Sequence, residues 1–252
     1  MVEPVYAPAI VTALGAFKAL GLKLDVVGGE NVPRTGGAVL ASNHVSYLDF
    51  IFAGLGAHPS RRYVRFMAKD SIWRNPVAGP LMRGMKHIPV DREAGAESFR
   101  VALDALRAGE VVGIFPEATI SRSFELKELK SGAPRLAQDA GVPLLPTIVW
   151  GTQRMMTKGR PRDFSRGKAV SVSVGAPIAV PKGADLDAVG AELQAAMRVM
   201  LDDAIARYPQ HPAGPDDSWW MPARLGGTAP TLAEATRMDR LEVIERGKRK
   251  TA

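Results

Sequence analysis

Read for apolar spacing alone, the chain switches repeatedly between a period of two and a period near 3.6. Lys23 to Val27 and Ala38 to Ser42 read as short strands, separated by the turn-rich runs Gly28-Gly29-Glu30-Asn31 and Arg34-Thr35-Gly36-Gly37. Leu48 to Leu55 has a helical pattern, and Arg62 to Met67 alternates basic and apolar residues as a strand does. Ser71 to Met85 reads as helix interrupted at Pro76 and Pro80. Lys86 to Val90 returns as strand and Glu93 to Ala108 as helix, and Val111 to Phe115 is a continuous apolar run, the mark of a strand buried on both faces. Ser131 to Ala140 is helical, Pro143 to Val149 and Val170 to Val174 are strands, and Asp185 to Arg207 is a long helix. Strands alternating with helices predict a single α/β domain, with a mixed, largely parallel sheet flanked by helices. Sites in such sheets gather in the loops beyond the carboxyl ends of the strands.

The two ends differ from this middle. Pro4 to Phe17 carries no charge, and Val5, Ile10, Leu14 and Phe17, trailed by Lys18 and Lys23, suit a helix lying in a membrane interface or docked on the protein's own core. No run reaches the eighteen or so apolar residues of a spanning helix, and a basic leader and convincing cleavage site of a signal peptide are missing. Beyond Arg207 come Pro209, Pro212 and Pro215, then Trp219-Trp220, and a last helix opened by a capping box of Thr231 and Glu234 and closed by Arg246-Gly247-Lys248-Arg249-Lys250. The organisation is thus read as an N-terminal interface helix over 1–21, a main domain over 22–207 and a Pro/Trp-containing extension with a basic helix over 208–252.

Composition narrows the chemistry. With 33 basic against 26 acidic residues, the net charge of +7 favours polyanions: nucleic acid, anionic head groups or phosphorylated metabolites. Nucleic acid is disfavoured, because aromatics make up 6% of the chain and no helix-turn-helix, RNP, KH or zinc-finger signature is present. A phosphate-bearing substrate at an anionic membrane surface accounts for the charge more simply. The absence of cysteine excludes disulfides and thiol nucleophiles, and four histidines without a close pair leave no zinc signature, so no metal or cofactor is expected.

The candidate chemistry lies in Ala41-Ser42-Asn43-His44-Val45-Ser46-Tyr47-Leu48-Asp49, where a strand pattern gives way to a helical one. A neutral imidazole is a common general base, and a carboxylate on its other nitrogen fixes its tautomer. Five residues along one continuous helix turn through about 140°, so the two side chains meet only if His44 lies on the turn and Asp49 in the first turn of the helix. A second reading of the same residues is a capping box, with Ser46 as N-cap and Asp49 at the third helical position. The two are compatible. His211 and Asp216 repeat the spacing across Pro212-Ala213-Gly214-Pro215, with neither strand nor helix around them, and read as coincidence.

Downstream stand Gly84-Met85-Lys86-His87-Ile88-Pro89-Val90-Asp91-Arg92, Phe115-Pro116-Glu117-Ala118-Thr119-Ile120-Ser121 and Val142-Pro143-Leu144-Leu145-Pro146. In order and spacing, with the His44 motif in front, they resemble the four motifs of the glycerolipid acyltransferase family, and in particular the bacterial 1-acylglycerol-3-phosphate (lysophosphatidic acid) acyltransferases, over about residues 22 to 180. The resemblance implies that His44 is the general base and Asp49 its partner, with the substrate's own hydroxyl in the place of a serine and no acyl-enzyme. It implies substrate-binding roles for Arg92, Glu117, Thr119, Arg122 and Lys130. Arg92 ends a strand, where its guanidinium either grips phosphate or pairs with Asp91 or Glu93. Glu117 either bonds the acceptor hydroxyl or holds backbone amides of its own turn, and Lys130-Ser131-Gly132 opens a helix whose N-terminus suits an anion. His87, Asn43 and Ser46 are read as structural.

The family pattern in the third motif is Phe-Pro-Glu-Gly-Thr-Arg-Ser, and this chain departs from it twice. Glycine has become Ala118, from which a turn without left-handed backbone is expected. The arginine used on acceptor phosphate has become Ile120, which leaves Arg122, Lys127 and Lys130 as replacements. The expected activity is acyl transfer from an acyl thioester, on CoA or acyl carrier protein, to a hydroxyl of lysophosphatidic acid in phospholipid biosynthesis, at the cytoplasmic face of the membrane as a peripheral or monotopic enzyme. The alternatives are a glycerol-3-phosphate or other lysophospholipid acceptor, or a non-catalytic lipid-binding protein on the same fold.

Overall fold

The strand that feeds the histidine motif is the centre of the molecule, and its sequence explains why. Ala38–Ser42 (β2) is apolar but for its last residue and is buried at every position, which only a strand covered on both edges and both faces can be. In the computed structural model, which describes residues 3–91 and 95–251, with side chains given as far as 245, β2 pairs in parallel with Val111–Ile114 (β5) on one edge and Leu144–Trp150 (β6) on the other. With Lys23–Val27 (β1), Val64–Lys69 (β3), Ile88–Val90 (β4) and Ala169–Val174 (β7), the sheet runs β1-β7-β6-β2-β5-β3-β4. Every neighbouring pair is parallel except β6 with β7, so the mixed, largely parallel sheet is as expected.

Helices cover both faces, each burying the apolar stripe its sequence provides. On one face lie Gly95–Arg107 (α4), Gly132–Ala140 (α5) and Leu186–Ala206 (α6), packed through Ala102, Leu106, Leu136, Leu193 and Met197. Asp185 caps α6 by accepting the Asp187 N–H. On the other face lie Tyr6–Ala19 (α1) and Asp49–Leu55 (α2), joined by Phe17 stacked on Phe52 at 4.7 Å. Gly113 in β5 has no side chain because the Phe66 ring fills the space a Cβ would take.

Three details differ from the sequence reading, and the N-terminal helix takes the second of the two places open to it. Phe17, expected on an interfacial face, is in the core, while Val11 and Leu14 do face outward. Tyr6 at the start of α1 donates to the Val64 carbonyl, and buried Glu3 pairs with Arg65 at 2.6 Å, so the helix is docked on the protein. Pro80 does not interrupt Ala78–Gly84 (α3), because it sits in the first turn, where no intrahelical N–H bond is needed. The segment before it, Asp70–Arg74, is a 3-10 turn. Beyond α6, the fully buried Trp220 lies under the Arg154 guanidinium at 4.4 Å and ties the C-terminal segment to the body. The last helix, Leu232–Thr251 (α7), opens with the expected box, in which Thr231 and Glu234 exchange hydrogen bonds. No helix among the described residues is long and apolar enough to cross a membrane.

Candidate active site

Three adjacent parallel strands, β5, β2 and β6, end side by side, and each is followed within a few residues by a polar side chain aimed at the same turn. His44 follows β2, Glu117 follows β5 and Thr152 follows β6. The chain leaves β2 toward β3 on one side and leaves β5 toward β6 on the other, so a switch point lies between β2 and β5, and crevices form at such points outside the carboxyl ends.

The His44 turn is built almost wholly by Asp49. This carboxylate is fully buried at the first residue of α2. Its Oδ2 accepts the Val45 N–H at 2.6 Å, the Ser46 N–H at 2.7 Å and lies 3.0 Å from His44 Nδ1. Its Oδ1 accepts the Thr152 hydroxyl at 2.6 Å. A carboxylate accepts but does not donate, so it selects the tautomer with hydrogen on Nδ1 and leaves the Nε2 lone pair facing outward. The His44–Asp49 contact is thus present, but the helix begins at Asp49 with Leu48 as its N-cap, so Ser46 and Asp49 do not take the capping-box positions expected. The Ser46 N–H to Asp49 bond is one half of a capping box, but Ser46 Oγ turns instead to the Leu48 N–H and the Met156 carbonyl. The imidazole lies flat on Phe115, centroids 4.2 Å apart, and Phe115 stacks on Phe66 at 5.7 Å. Asn43 bridges to β6, donating to the Val149 carbonyl and accepting its N–H, and so fixes the strand end.

Glu117 holds backbone amides, but those of two other segments and not of its own turn. Both carboxylate oxygens are taken by backbone: Oε1 accepts the His44 N–H at 2.7 Å and Oε2 the Lys127 N–H at 3.0 Å. Burial pushes its pKa up to about 7, and the two N–H bonds offset only part of that cost. Glu117 is thus a clamp between the histidine turn and the segment carrying Lys127. Holding this loop requires Ala118 at φ +60°, against the expectation of a right-handed turn. The backbone has kept the conformation that a glycine adopts freely, at a cost of about 1–2 kcal/mol for alanine.

Beside the clamp stands a group of cations. Lys127 Nζ donates to Thr119 Oγ1 at 2.6 Å, and Arg122 and Lys158 converge on the same place, where Asp239 and Glu242 of α7 face all three. Lys158 arrives on a loop sewn to the histidine turn by the Thr157 hydroxyl on the Val45 carbonyl and the Tyr47 N–H on the Met156 carbonyl. Ile120, in contrast, is buried at 3% exposure, so an arginine at that position would enter the interior in this backbone.

Of the residues predicted from sequence, His44, Asp49, Glu117, Thr119 and Arg122 come together. Lys130 does not join them: it is exposed and lines a separate hollow of about 380 Å³ with Ser131, Asp187 and Arg198. Arg92 lies outside the described residues. His87 is structural, as read: its Nδ1 accepts the Phe66 N–H, and burial lowers its pKa to about 4. No hydrogen bond joins His211 to Asp216. The sequence reading missed Thr152, Lys158, Asp239 and Glu242, which lie 81 or more residues from their partners in the site and carried no local signal, except for the polar turn after an apolar strand at Thr152.

Comparison with known proteins identifies the family and the fold. A family model described as Acyltransferase matches residues 23–150, just over half of the chain. A 1-acyl-sn-glycerol-3-phosphate acyltransferase of Bacillus subtilis (strain 168) is 33% identical over 167 residues, 66% of this chain and 79% of that protein. A protein of the same name from Borreliella burgdorferi is 30% identical over 158 residues, and there the chain spans 61% of the relative's length. The crystal structure of the 1-acyl-sn-glycerophosphate (LPA) acyltransferase PlsC from Thermotoga maritima has the same fold, with a TM-score of 0.68 over 81% of each chain at 23% identity. The chain belongs to the acyltransferase family, and is an acyltransferase like its 1-acyl-sn-glycerol-3-phosphate acyltransferase relatives.

Proposed function

We propose that this enzyme transfers a fatty acyl group from an acyl thioester, on CoA or a carrier protein, to the free hydroxyl of a lysophosphatidic acid in phospholipid synthesis. The observation that carries the reading is the His44 Nδ1 to Asp49 contact of 3.0 Å, beside a cluster of three cations. His44 Nε2 takes the proton of the acceptor hydroxyl as its oxygen attacks the thioester carbonyl. Asp49 holds the Nδ1–H and stabilises the imidazolium. Collapse of the tetrahedral centre breaks the C–S bond, and the imidazolium proton goes to the departing thiolate. No side chain forms a covalent intermediate, which suits a chain without cysteine.

Arg122, Lys127 and Lys158 are assigned to the acceptor's phosphate. What supports the assignment is their convergence on carboxylates beside the histidine turn: a place that holds two carboxylates suits the oxygens of a phosphate monoester. The enzyme works at an anionic membrane surface, supported by the net charge of +7 and by the outward Val11 and Leu14 of α1. The test is turnover of labelled acyl-CoA and acyl carrier protein thioesters with lysophosphatidate, glycerol 3-phosphate and other lysophospholipids. Lysophosphatidate should be acylated, and His44→Ala should lower the rate by about 10³-fold or more without lowering the melting temperature. Near-normal turnover by His44→Ala would sink the mechanism, and no transfer to any acceptor would favour a lipid-binding role.

A further inference from the structure

We propose that α7 is an acidic plug in the acceptor-phosphate site, and that an anionic lipid surface draws it out. This rests on the assignment of Arg122, Lys127 and Lys158 to that phosphate. Asp239 and Glu242 stand three residues apart on one helix face, anchored by the buried Ala235 one turn earlier. Asp239 meets Lys127 at 2.6 Å, Lys158 at 3.3 Å and Arg122 at 3.4 Å, and Glu242 meets Arg122 at 3.0 Å and Lys158 at 3.4 Å. Two carboxylates thus occupy the oxygen positions that a phosphate on these three cations would need.

The substitution is incomplete in a way that favours phosphate. Among the described residues three positive charges face two negative ones, and the Arg122 Nε–H is buried without a hydrogen-bond acceptor. A phosphate monoester dianion brings the same charge with more acceptor oxygens on one centre. The plug is also held by long side chains that remain partly exposed, 13–26% across the five residues, so its contacts are exchangeable rather than locked.

The outer face of α7 identifies what exchanges with it. Arg237, Arg240, Leu241 and Ile244 are exposed on the side away from Asp239 and Glu242, with Leu241 and Ile244 each 55% accessible. Apolar residues flanked by arginines bind anionic head groups and insert into the acyl boundary. In solution the carboxylates hold the site closed. On an anionic bilayer the outer face binds lipid, α7 turns away, and the site opens where lysophosphatidate is found.

The experiment uses full-length protein and a short-chain lysophosphatidate below its micelle concentration, with no vesicles, phosphatidylcholine vesicles or phosphatidylglycerol vesicles. Without vesicles, the Asp239→Asn/Glu242→Gln double variant should show an acceptor KM about tenfold below wild type with kcat unchanged, as expected when a closed state favoured about tenfold is removed. Phosphatidylglycerol vesicles should bring wild type to the variant's KM, and phosphatidylcholine vesicles should not. A folded variant with an unchanged or higher KM would overturn the proposal. Independently of that variant, Leu241→Cys can carry an environment-sensitive fluorophore, because the chain has no other cysteine. A blue shift on phosphatidylglycerol vesicles is expected, and no shift would overturn the release step. Lys158→Ala separates the layers when made in the Asp239→Asn/Glu242→Gln background, where no plug contact is lost with it: a raised acceptor KM there supports the phosphate site even if the plug fails, and no effect there removes both.

Discussion

The histidine turn and the cation cluster are neighbours joined by one residue, Glu117, yet they are built on opposite plans. At the turn, a fully buried carboxylate has its acceptor positions filled by two backbone N–H groups, one imidazole and one hydroxyl. Its geometry is fixed before any substrate arrives, which is what the proposed general-base role needs. In the cluster, three long flexible side chains are half-satisfied by carboxylates that belong to a distant helix. On the reading proposed above, the folded chain here supplies a stand-in rather than a finished site. A catalytic group gains from being rigid, whereas a binding group for a charged ligand must be exchangeable, since a permanently satisfied cation binds nothing further.

Breaking the joint between the regions should have the broadest effect, reaching both at once. Glu117→Gln keeps one acceptor but sets an amide against an N–H, so the histidine turn and the Lys127 segment should both loosen, lowering kcat and raising acceptor KM together. The same variant has a pH signature. Glu117 titrates near 7 in the fold instead of 4.5, so the folded state keeps a proton that the unfolded chain has lost. Ionising it costs stability progressively as pH rises from about 4.5 to about 7, by up to about 3 kcal/mol. Denaturant unfolding at several pH values should show that slope in the wild type and its loss in Glu117→Gln.

A smaller effect is expected at Thr152, which touches Asp49 and nothing in the cluster. Thr152→Val removes one hydrogen bond to a buried carboxylate, about 1.5–3 kcal/mol, and should lower kcat about tenfold or more while leaving acceptor KM alone. An equal change in both constants would show that the two regions are not separable. Smallest is Ala118→Gly. It relieves a left-handed alanine and should raise the unfolding free energy by about 1 kcal/mol with little change in turnover, provided the backbone stays at φ +60°. Destabilisation instead would mean the turn is not held in that conformation.

The two regions were not equally legible in the sequence, for a physical reason. The strands, the flanking helices and the His44–Asp49 pair are set by contacts close along the chain, so apolar period and spacing expose them. Lys23–Val27 and Ala38–Ser42 appear with the bounds that pattern predicts. The cluster depends on bringing 122, 127 and 158 to 239 and 242, and no local pattern encodes which exposed lysine meets which exposed glutamate. Ala118 misled for the opposite reason. Propensity says alanine avoids positive φ, but Glu117 and the hydrogen bond from Lys130 N–H to the Pro116 carbonyl hold the loop and override a preference of about 1 kcal/mol. Likewise Phe17 matched an interfacial stripe by spacing, and only the position of Phe52 shows that it faces inward.

The central claim is that a rigid relay and an exchangeable anion site divide the work, and it is tested most directly by steady-state kinetics of Asp49→Asn and Lys158→Ala, with lysophosphatidate varied at saturating acyl thioester. Asp49→Asn should lower kcat by about 10³–10⁴-fold with acceptor KM nearly unchanged, because the imidazole loses its tautomer and orientation but the phosphate contacts remain. On phosphatidylglycerol vesicles, where Asp239 and Glu242 are released, Lys158→Ala should raise acceptor KM about tenfold with kcat nearly unchanged, the mark of a lost binding contact made equally in ground and transition states. If Asp49→Asn moved mainly KM, or Lys158→Ala mainly kcat, the division of labour would be contradicted.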